Sequence, residues 1–343
     1  MNDISKRKLD HIELCLTTDV SMTRPTGFNR VYFMHQALPE LALEDVSLET
    51  TFLGRRVAAP IFISSMTGGP ARGEKINRHL GEAAEELQLP MGVGSERIIF
   101  ENKDAKKTFQ AAREAGPNVQ LFANLGAVQF NYGFGLEHVL EAVSTIDADG
   151  VFLHLNALQE VVQPEGNTNF RGLLNRIGEI VRNVNFPVLV KEVGCGISPS
   201  VATALAFAGV SAIDVSGAGG TSWAKIESQR TSDKAQRTLG EVFGNWGIPT
   251  VESLVLCRDA LPDFPLIASG GIRTGLDVAK AIALGADMVS FAMPLLEPAT
   301  KSSKDVITVL QQIMAELRVA MFLIGARDIP SLKASRHLLK EVR

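Results

Sequence analysis

The chain has 343 residues, 45% of them apolar and 21% charged, with a formal net charge of −4. That size and balance suit one large α/β domain or two ordinary ones with a sizeable core. The acidic balance argues against a nucleic-acid binder held mainly by phosphate contacts. Cys15, Cys195 and Cys257 have neither metal-type nor disulfide spacing, so a reducing, cytoplasmic location is expected. The opening MNDISKRKLDHIEL lacks a signal peptide's apolar segment. No run of about 18 apolar residues predicts a membrane helix.

In chain order, residues 1–58 precede the first strand and are expected to form a lid and cap. Short apolar runs then alternate with amphipathic segments. APIFISSMTGG (59–69) is followed by the helical pattern 74–88, PMGVGS (90–95) by 103–116, and VQLFANLG (119–126) by 135–146. GVFLHLN (150–156) leads into 170–184, and PVLVKEVG (187–194) into 198–209. AIDVSGAGG (212–220) is followed by a long polar insertion and then 250–261, PLIASGG (265–271) by 274–285, and MVSFAMP (288–294) by 303–324. Buried strands alternating with helices imply a parallel sheet. Eight such units point to an α/β (β/α)₈ TIM barrel over residues 59–325, with 326–343 as a tail. An open doubly wound sheet is the alternative. The insertion Trp223–Thr238 reads equally as a lid, an interface or a mobile loop.

Barrel sites lie at the C-terminal ends of the strands, and polar residues recur there. They are Ser65, Met66 and Thr67 after strand one, Ser95 and Arg97 after strand two, and Asn124 in strand three. Strand four ends in HLNALQE (154–160), strand five carries Lys191, and strand six gives Ser216 and Thr221. Strand seven gives Gly270 and Gly271, and strand eight Ala292 and Met293. The Gly pairs after strands six and seven suit a phosphate, because bare backbone N–H groups can approach it closely. His154 and Asn156 are expected to share a strand face, with Gln159 and Glu160 in the loop above. Lys191 lies in the apolar run VLVKEV. It can stabilise the anionic edge of a reduced flavin, form a Schiff base, or pair with Glu192.

The motifs RKLDHI (7–12), SSMTGG (64–69), GVGSER (92–97), ANLGA (123–127), HLNALQE (154–160), VKEVGCGIS (190–198), DVSGAGGTSWAKIESQR (214–230) and ASGGIRTG (268–275) run along nearly the whole chain. In them the chain resembles the type II isopentenyl diphosphate isomerases, flavoproteins with a (β/α)₈ barrel. The resemblance implies FMN, Mg²⁺, NADPH or another reductant, a diphosphate substrate and a homo-oligomer, tetramer or octamer. It implies FMN contacts at Ser65, Met66, Thr67, Ser95, Asn124, Lys191, Ser216, Thr221, Gly270, Gly271, Ala292 and Met293. It implies substrate contacts at Arg7, Lys8, His11, Arg97, His154, Asn156 and Gln159, with Glu160 as the Mg²⁺ ligand. Arginine suits a diphosphate because it donates in pairs. A lone carboxylate with phosphate oxygens suits Mg²⁺.

Moving a double bond by one carbon requires an acid for an unactivated alkene, and none of these side chains is a strong one. The reduced flavin is therefore expected to be the main acid–base group, with Lys191 holding its negative edge and Gln159 and His154 in supporting catalytic roles. An FMN oxidoreductase of the 2-hydroxy-acid oxidase or dihydroorotate dehydrogenase type is the alternative function. A non-catalytic flavin- or phosphate-binding barrel is the third.

Overall fold

The computed structural model describes residues 3–341. Eight parallel strands close into a barrel, each paired with its neighbours in sequence order. They are Ile61–Ile63, Met91–Gly92, Leu121–Gly126, Gly150–His154, Val188–Lys191, Ala212–Asp214, Leu266–Ala268 and Met288–Phe291. Helices follow them in turn: Ala71–Leu87, Lys106–Ala115, Leu136–Thr145, Leu173–Arg182, Pro199–Phe207, Thr250–Ala260, Gly275–Ala283 and Ser303–Phe322. The expected (β/α)₈ barrel is present, and the helices cover the outward residues of every strand.

Strand parity builds the site. Residues i and i+2 of a strand share a face. Phe62, Phe122, Phe152, Leu189, Ala212, Ile267 and Met288 form one apolar cluster inside the barrel. One step of two residues toward the mouth, Asn124 replaces Phe122, His154 replaces Phe152 and Lys191 replaces Leu189. Asp214, Ser269 and Ser290 stand likewise above Ala212, Ile267 and Met288. The interior therefore changes from hydrocarbon to polar within one layer.

Residues 3–58 divide between the two ends of the barrel. The strands Thr50–Phe52 and Arg55–Val57 form a hairpin whose Phe52 and Val57 join the interior apolar cluster and close its floor. Its turn places Leu53 and Gly54 at φ of 45° and 81°, the left-handed pair that matches strand twist in a two-residue hairpin loop. The helix Asp3–Thr17 lies at the opposite end, against the site. The strand Val31–Phe33 pairs antiparallel with Leu339–Glu341, so the described residues after 325 fold back onto the N-terminal region.

One local expectation changes, at HLNALQE, and the polar insertion takes a definite form. The insertion after strand six forms two helices, Trp223–Arg230 and Lys234–Val242. The Ser222 hydroxyl caps the first by accepting from Lys225 N–H, and Asp233 caps the second by accepting from Ala235 and Gln236 N–H. Gln159 and Glu160 lie in a short helix, Ala157–Val162, and not in a loop, because Ala-Leu-Gln-Glu is a run of good helix formers. Strand four ends at His154, so Asn156 stands at the helix N-cap and not in the strand.

Candidate active site

The twelve positions read as flavin contacts, the seven read as substrate contacts and Glu160 all line one cavity of about 240 Å³ at the mouth of the barrel. Ser269, expected at the end of strand seven, lines it too, as do Ser290, Gln129, Gln163, Trp223 and Arg273, which were not singled out from the sequence. Ser290 had a signal in strand parity. The others lie in loops or helices, where no period marks them.

Burial decides the charge states of the polar layer. His154 has its pKa pushed down to about 3, first by burial and then by Lys191, Lys8 and Arg7, so the ring is neutral. Its Nδ1 pairs with Asn124 Oδ1 at 2.7 Å. Burial also lowers the Lys191 pKa, and the carboxylates of Asp214 and Glu192 oppose that. The Lys191 ammonium donates to the Glu192 carbonyl at 2.6 Å. Asp214, its register partner on strand six, accepts from the Ser269 hydroxyl at 2.6 Å and from Ser216 N–H at 3.0 Å. That second bond holds Ser216 at φ 39°, a left-handed conformation a non-glycine residue seldom adopts.

The HLNALQE segment is organised by a residue the sequence reading passed over. Glu227, fully buried on the insertion's first helix, accepts from Gln159 Nε2 at 3.1 Å and pairs with His11 Nε2 at 2.9 Å and with Arg230. Burial works against its charge, but the bond to His11 and the Arg230 guanidinium keep its pKa well below the usual range. It thereby ties the N-terminal helix, the strand-four segment and the insertion together. Its only sequence signal was a place within the long motif 214–230. Asn156 Nδ2 donates to Gln159 Oε1 at 3.2 Å and to Glu160 Oε1 at 2.9 Å, and Glu160 Oε2 accepts from Asn167 N–H at 2.6 Å. Arg7 reaches Glu165 at 3.6 Å, Arg97 donates to Asn167 Oδ1 at 3.2 Å, and Lys8 donates to the Ser95 carbonyl at 2.7 Å. Burial and the Arg7 charge lower the Lys8 pKa to about 7.

The residues present fit a flavin mononucleotide. Three buried polar atoms in the cavity wall, Ser65 Oγ, Ser290 Oγ and Asn156 Oδ1, have no hydrogen-bond partner within the protein. Leaving such atoms unpaired costs about 1–3 kcal/mol each. Gly270 and Gly271, at φ of 101° and 72°, pack so closely on the strand-six loop that a Cβ would lie 2.0 Å from the Gly217 carbonyl and 2.3 Å from that of Gly219. Only glycine allows the two loops to form one bare-backbone surface, and Arg273 stands beside it. Metal donors are sparser. Among the described residues no group of three or more His, Cys, Asp or Glu side chains could hold an ion. The donor set suits a hard cation that takes one carboxylate and completes its shell with substrate oxygens and water.

The FMN-dependent dehydrogenase family matches residues 144–340. Relatives named isopentenyl-diphosphate delta-isomerase align over almost the whole chain. The one from Nostoc sp. is 47% identical over 333 residues, covering 97% of this chain and 95% of the relative. That from Synechococcus sp. is 48% identical over the same length and coverage. That from Oceanobacillus iheyensis is 46% identical, covering 96% and 95%. Among solved structures, a lactate oxidase of Pediococcus acidilactici superposes with a TM-score of 0.68 at 19% identity, covering 100% of this chain and 88% of that one. A mandelate oxidase with an FMN adduct gives 0.65 at 20%, covering 93% and 90%. At such identities the likeness establishes the barrel fold alone.

Proposed function

The chain belongs to the isopentenyl-diphosphate delta-isomerase family, in its FMN-dependent form, and from that premise we propose how the residues at the barrel mouth divide the work. The protein is a flavin-assisted isomerase interconverting isopentenyl and dimethylallyl diphosphate. Ser65, Met66, Thr67, Ser95, Asn124, Lys191, Ser216, Thr221, Gly270, Gly271, Ala292 and Met293 hold FMN. Arg7, Lys8, His11, Arg97, His154, Asn156 and Gln159 hold the substrate. When bound and reduced, FMN supplies a group that takes up and releases a proton beside the alkene.

The chain's own residues set the conditions for that chemistry. Lys191 carries the positive charge opposite the anionic flavin edge, and substrate closing the site strengthens this pairing by excluding water. Arg7, Lys8 and Arg97 bring cations to the diphosphate. The phosphate's charge favours the protonated form of Lys8. Gln159, locked between Asn156 and Glu227, orients the hydrocarbon, and neutral His154 offers its Nε2 to the substrate. Glu160 takes Mg²⁺ together with phosphate oxygens. NADPH serves as reductant and is not consumed in proportion to product.

A cytoplasmic homo-oligomer completes the reading. Its supports are three free cysteines, no helix among the described residues long and apolar enough to cross a membrane, and a charge-free helix Pro199–Phe207 with Phe207 88% exposed. Sedimentation of the purified protein tests the oligomer.

The observation that carries the functional reading is the single cavity in which every motif-derived position meets. Its test is an anaerobic assay with FMN, Mg²⁺, NADPH and isopentenyl diphosphate. Dimethylallyl diphosphate should appear without matching NADPH loss. Glu160→Gln should raise the Mg²⁺ concentration needed for activity while the bound-flavin spectrum stays unchanged. An unaltered Mg²⁺ requirement in that variant removes Glu160 from the metal site.

A further inference from the structure

A second, much smaller cavity of about 10 Å³ adjoins the active-site cavity. It is close to the space of about 10–15 Å³ that one water needs. Gln159, Val193, Gly194 and Trp223 line both cavities and form the wall between them. Val193 and Gly194 contribute a turn fixed from behind, because their N–H groups donate to the Glu192 carboxylate at 2.6 and 2.7 Å. Gln159 is held by Glu227 and Asn156. Trp223 supplies most of the wall's bulk. Its ring meets His11 edge-on, with centroids 5.0 Å apart and planes at 71°, and Glu227 pins His11. The wall is therefore rigid on the side that faces substrate.

The small cavity's chemistry selects what could enter it. Its far side is made by Met22, Leu158, Cys195 and Ala224, with Ser222 and Glu192 beside them. No basic residue lines it, whereas Arg7, Lys8 and Arg97 line the large cavity. The three cations hold the diphosphate on their side of the large cavity, so the hydrocarbon end of a substrate is the part that fits toward the wall.

We propose that the small cavity is a closed alkyl subsite and that Trp223 is the specificity-determining residue that stops the substrate's hydrocarbon end at its natural length. The inference rests on the isomerase reading and adds a size limit to it. Shortening Trp223 opens the wall and joins the two spaces, so a substrate with one extra carbon should gain. One methylene in an apolar pocket is worth about 10–200-fold in discrimination.

The test compares kcat/KM for 3-ethyl-3-butenyl diphosphate, summed over its alkene products, with that for isopentenyl diphosphate. The holoenzymes are the parent, Trp223→Phe, Trp223→Leu and Trp223→Ala, with bound-flavin absorbance as the folding control. The homologue-to-natural ratio should climb along that series and reach at least about tenfold above the parent in Trp223→Ala, the lower end of the range for one methylene. Where a variant turns over too slowly, the ratio of the two diphosphates' dissociation constants is read in its place and should climb along the same series. A ratio that stays flat in flavin-loaded variants overturns the size limit and leaves the isomerase reading standing. Failure of the parent to isomerise isopentenyl diphosphate removes both.

Discussion

At the residue scale, the carboxylate most out of place is Glu96. It is fully buried, with Oε2 accepting from Asn124 N–H at 3.0 Å and Oε1 without a partner. Burial raises its pKa from 4.5 to about 8, against the pull of Asn124 N–H and Lys8. Between those values the folded protein holds a proton that the unfolded chain has released. The group's contribution to stability is thus full below about pH 4.5 and is lost as pH rises through about 8. Lys8 gives little relief there, since its own pKa of about 7 leaves it mostly uncharged. Glu96→Gln keeps an acceptor for Asn124 and cannot ionise. Melting curves near pH 5 and pH 9 should show the variant gaining on the parent at the higher pH, and an equal difference at both would mean the carboxyl is already ionised in the fold. Sequence could name Arg97 but not this role for its neighbour. GSER marks a strand end, and whether a side chain turns into the cavity or beneath it depends on the short helix Glu96–Phe100 that follows. Glu227 was hidden for a related reason. A buried carboxylate is intelligible only once its partners from other segments are in place.

At the element scale the strands were legible because apolar runs of three to six residues, bounded by Gly and Pro, leave few alternatives. The polar step inside them was legible too, as Phe-x-Asn, Phe-x-His and Leu-x-Lys at one parity. The floor hairpin was not, since Thr50–Val57 carries charges on its exposed side and resembles any surface turn. Nor was a repeat that the barrel reveals at a spacing of four units. Arg113, on the helix after strand two, donates to the carbonyls of Gly116, Pro117 and Val119 and pairs with Asp149 at 3.3 Å. Arg258, on the helix after strand six, donates to those of Leu261, Pro262 and Gly285 and pairs with Asp287 at 2.8 Å. Each aspartate also accepts from the first N–H of a neighbouring strand, Leu121 or Leu266, at 2.8 Å. The same clamp therefore ties a helix end to two strands in each half of the barrel. Asp149→Ala and Asp287→Ala should each cost about 1–3 kcal/mol, the range for leaving a backbone donor unpaired. Denaturant titration of the double variant should give the sum to within about 0.5 kcal/mol, as for distant sites. A large shortfall would show that the two halves do not unfold as independent contributors to one transition.

At the scale of the whole molecule, the site is complete only because the chain's beginning returns to the mouth of the barrel. Among the described residues, the N-terminal helix brings Arg7, Lys8 and His11 to the cavity. Polar ties dominate its attachment: Arg7 with Glu165 at 3.6 Å, Asp10 with Arg230 at 3.6 Å, Glu13 with Arg72 at 3.0 Å, His11 with Glu227 and Lys8 with Ser95. Among the described residues, Ile12 is its one large side chain fully buried in the main core, with Cys15 and Leu16 packed partly against it. The flavin positions, by contrast, belong to barrel strand ends that the helix does not build. Removing residues 1–17 should therefore leave the barrel folded and FMN bound, while the diphosphate loses its N-terminal donors. Each charge-assisted hydrogen bond lost is worth about 1.5–3 kcal/mol, so KM should rise at least about tenfold for the first and further for the second. Arg7→Ala alone should show the smaller of these effects. Its KM should also respond less to added salt than the parent's, because one of the half-buried cations that salt screens from the diphosphate is gone. Steady-state assays across a salt series, with flavin absorbance read on the same samples, check both statements. Loss of FMN on truncation would make the helix part of the barrel's own stability, whereas an unchanged KM would leave diphosphate binding to Arg97 and the strand-four residues.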